Sequence, residues 1–122
     1  MRVIIAGSRD ITVSDEDMDA HVDEWERIHG TRLRSVVCGM ARGVDTSGRM
    51  WAEQRGIPVW HYPADWDTHG RSAGPIRNRE MAENADGLIL VWDGSSRGSA
   101  NMLSQARQHK LRIYEVRTEK GE

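Results

Sequence analysis

Short apolar runs alternate with segments of helical periodicity along almost the whole chain, and this alternation restricts the fold more than any other feature. Val3-Ile4-Ile5-Ala6 breaks off at Gly7-Ser8-Arg9-Asp10, the signature of a buried strand feeding a turn. Ser14, Asp17 three residues later, and then Met18, Val22, Trp25 and Ile28 give an N-cap followed by one apolar face. They predict a helix from Asp15 to His29, closed by Gly30. Residues 35–39 form a second apolar run ending in glycine, and a helical stretch through Ala52 to Arg55 stops at Gly56. A third strand is expected over 58–62, a structureless loop over 63–75 and a short helix over 76–84. The most hydrophobic strand follows over 87–92, then a loop of small residues over 93–99, a helix over 100–109 and a fifth strand over 111–116. The connections are long enough for right-handed crossovers. The expectation is an α/β, Rossmann-like single domain over residues 1–117, with a mostly parallel five-stranded sheet, helices on both faces and a polar tail over 118–122.

Composition narrows the partners. A chain of 122 residues suits one domain, and a formal net charge of −2 argues against nucleic acid as the partner. No run approaches the length of a membrane span, the amino terminus lacks the long hydrophobic region of a signal peptide, and Cys38 is the single cysteine. A cytoplasmic protein is expected. Arginine far outnumbers lysine, a bias that suits bidentate pairing with small anions. With no Phe, the five Trp are expected to do core work, although Trp66 lies in a polar stretch where it can stack on a base or sugar. The histidines are scattered without ligand spacing, so no metal is required, while Mg²⁺ can accompany a phosphate.

In an open parallel sheet, ligands bind beyond the carboxyl ends of the strands. Three loops there are rich in glycine and serine. Gly7, Ser8 and Arg9 allow close backbone approach and supply a cation, though the same residues also make an ordinary turn. Gly39, Met40, Ala41, Arg42 and Gly43 lead into a helix start, where unpaired amides attract phosphate; Asp45 can cap that helix or grip ribose hydroxyls. Gly94, Ser95, Ser96, Arg97, Gly98 and Ser99 form the third loop, a second phosphate cradle or a solvated turn. Arg77, Asn78 and Glu80 add a cation, an amide and a carboxylate within one turn, or no more than a surface ion pair. Valine at Gly43 or Gly98 is expected to block a ligand while leaving the fold intact. Cys38 reads as a small buried hydrophobe and not a nucleophile.

Taken in order, these segments resemble the SLOG superfamily, which includes the Lonely Guy phosphoribohydrolases, DprA and YpsA-like proteins, and most closely its small YspA-related members from bacteria and phages. The resemblance runs from Gly7-Ser8-Arg9 through Gly39–Asp45, Pro63-Ala64-Asp65-Trp66 and 74–81 to Gly98-Ser99-Ala100-Asn101-Met102. It implies a nucleotide pocket, with the last loop standing where Lonely Guy enzymes carry Pro-Gly-Gly-x-Gly-Thr-x-x-Glu. Met102 falls where that glutamate would be, so Glu80 or Asp45 would have to supply the hydrolytic carboxylate. Two functions stay open: a module that senses, sequesters or carries a nucleotide-like small molecule, and an N-glycosidase acting on a nucleoside monophosphate. Single-stranded DNA binding, as in DprA, is a third, opposed by the acidic balance. Homo-oligomers are common among related folds and are expected here.

Overall fold

The computed structural model describes residues 1–118. The polar tail expected over 118–122 therefore lies, apart from Thr118, outside the described residues; the Thr118 amide still donates to the Trp92 carbonyl at 2.9 Å.

Five strands, β1 (Arg2–Gly7), β2 (Ser35–Cys38), β3 (Val59–His61), β4 (Gly87–Trp92) and β5 (Arg112–Arg117), form one sheet in the order β3-β2-β1-β4-β5. Every pairing is parallel. Side chains alternate across it as strand geometry requires. Val3 and Ile5 enter a core with Val36, Ile89 and Val91, under α1 (Asp15–His29) and α2 (Val44–Gln54). Ile4 and Ala6 enter the opposite core with Val37, Leu88 and Leu90, under α4 (Ala73–Glu83) and α5 (Arg97–Gln108). A short helix, α3 (Trp66–His69), and a 3-10 turn (Gly70–Ser72) precede α4. Helices thus cover both faces of a Rossmann-like α/β sheet.

Helix α1 keeps the predicted bounds because its signals are local: Ser14 Oγ accepts from the Asp17 amide, and Gly30 closes the last turn at φ 64°. Two expectations need correction. Residues 63–75 are not structureless, since Asp65 caps α3 through the Thr68 amide and α4 starts at Ala73. Pro75 is the third residue of α4, where its missing N–H would have no intrahelical acceptor in any case. Likewise α5 starts at Arg97, three residues before the expected start, because the Ser96 hydroxyl accepts from the Ser99 amide.

The tryptophans divide. Trp25, Trp51 and Trp92 are buried, whereas Trp60 and Trp66 remain 44% and 50% exposed. Trp60 lies on edge strand β3, beneath the Arg2 guanidinium at 4.5 Å. Among the described residues no helix is long and apolar enough to cross a membrane.

Candidate functional site

From β1 the chain steps outward to β2 and β3, then crosses back to β4 and β5, so the reversal of strand order falls between β1 and β4. The loops after these two strands diverge there and open a crevice.

The loop after β1 is a clasp. Buried Ser8 donates its amide to the Val91 carbonyl at 3.1 Å, accepts the Asp93 amide on Oγ at 3.2 Å, and accepts the Val44 amide on its carbonyl at 3.3 Å. Gly43 sits on this clasp with φ 77° and ψ −129°. A Cβ there would run into the Ser8 carbonyl oxygen and come within 2.6 Å of the Arg9 carbonyl oxygen. Gly43 therefore serves loop-on-loop packing and not ligand approach, which overturns the expectation that valine there leaves the fold intact.

Several donors in and around the second loop are also committed inside the protein. The Met40 amide donates to Cys38 Sγ at 3.4 Å, the Ala41 and Gly7 amides hydrogen-bond the Asp45 carboxylate, and the Val44 amide is taken by Ser8. This loop gives the crevice a wall and the Arg42 side chain. Buried Cys38 has its thiol pushed up, mainly by burial, which fits the packing role.

The start of α5 is different. Asp93 Oδ1 accepts the Ser95 and Ser96 amides, and Ser96 takes the Ser99 amide. Helix geometry leaves the Arg97 and Gly98 amides without an intrahelical acceptor. A Cβ at Gly98 would meet nothing within 4 Å, and Ser99 Oγ is buried without a hydrogen-bond partner.

Two adjoining hollows occupy the crevice. The first, about 370 Å³, brings Gly7, Arg9 and Ala41 together with Asp45, Arg77 and Asn78 and with the α5 start, Ser96, Arg97, Gly98 and Ser99. Its lining also includes Ala6, Met81 and Met102, which sequence reasoning did not assign to the site. The second, about 390 Å³, is lined by Gly39, Met40, Arg42 and Trp66 together with Pro63 and Ala64. Arg9, Ala41 and Arg77 border both. Of the other expected site residues, Ser8, Gly43, Gly94, Ser95 and Glu80 line neither hollow, and Glu80 is exposed.

Arg77 is held in place. Its Nε donates to Asn78 Oδ1 at 3.0 Å, and its Nη1 donates to the carbonyls of Gly39 and, at 3.5 Å, Tyr62. Asn78 in turn donates from Nδ2 to Asn101 Oδ1 at 2.9 Å and to the Gly98 carbonyl at 3.4 Å, joining the arginine to the first turn of α5. Asp45 is 5% exposed. Burial pushes its carboxyl up to about 6, against the opposing pull of Arg77 and of the Ala41 and Gly7 amides. Burial likewise lowers Arg77, with Asp45 opposing.

Comparison with known proteins agrees with this architecture. The model of the family described as YspA, cpYpsA-related SLOG matches residues 1–69. The Gene 61 protein of Mycobacterium phage D29 is 34% identical over 113 residues, covering 88% of this chain and 89% of that protein. No solved structure matches. A glycine-bearing clasp after β1, the Gly39–Asp45 turn beside it and a relative matched over nearly its full length lead to one assignment: the chain belongs to the YspA, cpYpsA-related SLOG family.

Proposed function

We propose that this protein binds the phosphate of a nucleotide or nucleotide-derived compound in the first hollow, as a sensing, sequestering or carrier module. The observation that carries the reading is Ser99 Oγ, a buried hydroxyl without a partner on the wall of a hollow bordered by Arg9, Arg77 and Arg97 at the start of a twelve-residue helix. A buried polar atom costs about 1–3 kcal/mol when unpaired, and a phosphate oxygen would satisfy it where helix dipole and guanidinium charge also favour an anion. Membership of a SLOG family is compatible with a nucleotide-related function. Mg²⁺, where it takes part, would arrive on the ligand's own phosphate oxygens.

Calorimetry with inorganic phosphate, the common nucleoside monophosphates and their doubly phosphorylated counterparts tests this. A hydrogen bond to a charged group contributes about 1.5–3 kcal/mol, so Ser99→Ala is expected to weaken binding by about tenfold or more. Absence of binding, or equal affinity in parent and variant, would refute the reading.

A second reading rests on Asp45, a carboxyl that titrates near neutrality beside Arg77 in the same hollow. In an N-glycosidase, the Asp45 carboxylate would take a proton from water as the glycosidic C–N bond breaks; the water oxygen would join the sugar carbon, and the proton would pass from Asp45 to the departing base nitrogen, restoring the carboxylate. Free base and ribose phosphate appearing with the parent protein and not with Asp45→Asn would support it; ligand recovered intact would exclude it.

A further inference from the structure

Arg9 and Arg77 stand between the two hollows and border each, so a group seated at the α5 start can continue past them into the second hollow without leaving the crevice. The chemistry on the far side is distinct. Trp66, Met40 and Pro63 give it apolar surface, while Arg9, Arg42 and Arg77 give it positive charge, and no carboxylate is among its lining residues. Arg42 approaches Asp10 only at 3.9 Å, with both side chains largely exposed, a pairing that solvent screens heavily. Met40 is brought to the rim by a left-handed backbone at φ 63°, and its Sδ lies 2.8 Å from His61 Nδ1. Trp66 lies over the start of α4, where a Cβ on Gly74 would be 3.5 Å from the indole ring, and half of its surface stays open. A half-exposed indole beside a thioether and three guanidinium groups suits a planar ring joined to an anion.

We infer that the second hollow is a subsite for the base and a second phosphate group of the same ligand, the base lying on Trp66 and the phosphate on Arg42 and Arg9. The ligand class is then a nucleotide with more than one phosphate group, either a 5′-diphosphate or a 3′,5′-bisphosphate, and not a nucleoside monophosphate. This rests on the phosphate reading of the first hollow, since it takes that phosphate as its fixed end. A monophosphate seated at the α5 start would leave Arg42, at the far rim, with only its solvent-screened pairing to Asp10. A second phosphate answers it and lets the ring reach Trp66.

The test is calorimetry with ribose 5-phosphate, the nucleoside 5′-monophosphates of adenine, guanine, cytosine and uracil, and the corresponding 5′-diphosphates and 3′,5′-bisphosphates, on the parent protein, Trp66→Ala and Arg42→Ala. Both substitutions fall on exposed side chains outside the core. Stacking of a base on an aromatic side chain is of a size that predicts about tenfold weaker binding of base-containing ligands by Trp66→Ala, with ribose 5-phosphate unaffected. A doubly phosphorylated ligand should bind the parent about tenfold or more tightly than its monophosphate, and Arg42→Ala should erase that advantage. Monophosphates binding as tightly as every doubly phosphorylated ligand, or both variants behaving as the parent, would overturn the subsite while leaving the α5 phosphate site standing. Failure of every probe to bind would overturn both.

Discussion

Gly98 and Gly43 both border the crevice loops, yet the same substitution should act on them in opposite ways. Gly98 is the second residue of α5 with φ in the ordinary negative region, and a Cβ there meets nothing within 4 Å. Valine is slightly the better helix former, by a few tenths of a kcal/mol at about the same exposure, so Gly98→Val should leave folding stability unchanged or marginally higher. Unfolding entropy of about 2.1 cal/mol/K per residue gives a chain of this length roughly 0.25 kcal/mol/K, so the melting temperature should move by no more than about 2 °C. The isopropyl group would nevertheless stand in the first hollow, before the Arg97 and Gly98 amides and Ser99 Oγ. Losing even one charge-assisted bond of about 1.5–3 kcal/mol weakens phosphate binding by about tenfold or more. Gly43 holds φ 77° and ψ −129° against the backbone oxygens of Ser8 and Arg9, a conformation that a side chain adopts only with strain. Gly43→Ala should cost about 2–3 kcal/mol, a fall in melting temperature of roughly 8–12 °C. Scanning calorimetry and nucleotide titration of the two variants separate the cases. Full ligand affinity in Gly98→Val would show that the α5 start is not where the anion sits, and an unchanged melting temperature in Gly43→Ala would refute the packing role of that glycine.

Two further outcomes follow from the same contacts. Folding raises the Asp45 carboxyl from 3.8 to about 6, so its protonated form favours the folded state; this contribution is full below pH 3.8, is lost as pH rises through 6, and amounts to about 3 kcal/mol. Asp45→Asn should flatten that part of the stability profile in urea denaturation series across this window, and profiles that stay parallel to the parent's would refute it. Asn78→Ala removes the acceptor for Arg77 Nε and the donor to Asn101 and the Gly98 carbonyl. It should destabilise the fold by about 1–3 kcal/mol and weaken phosphate binding by roughly tenfold, measured by denaturation and titration, and parent-like affinity would show that Arg77 keeps its pose unaided.

The pattern of what could be read from sequence follows the range of the interactions concerned. Helix α1 depends on Ser14, Asp17 and Gly30, all within or beside the element, and its bounds were predictable. The sheet was predictable too, because apolar runs of strand length separated by helical segments leave few alternatives to parallel pairing. Errors arose where a local signal had two meanings. Gly74 and Pro75 suggested a loop, yet they fit the first turn of α4, and Gly98 suggested the end of a loop although the Ser96 cap draws it into α5.

The division of labour between the loops lay beyond reach for a different reason. Gly39–Gly43 and Ser96–Ser99 look alike as sequence, two small-residue turns entering helices. Only the strand order decides that the first abuts the β1 clasp, which takes up the Val44 amide, while the second faces open space. The partners that settle Arg77 are just as remote: the Gly39 carbonyl comes from the loop after β2, and Asn78 is itself fixed by α5. With three of its acceptor contacts supplied by the protein, the guanidinium enters the crevice already oriented, and an anion arriving there need not supply the entropy of ordering it. The helix-start signal shared by both turns therefore favours an anion at α5, where the approach to Gly98 is open and the buried Ser99 hydroxyl has no partner, over α2, where Ser8 and Asp45 take up part of the donors.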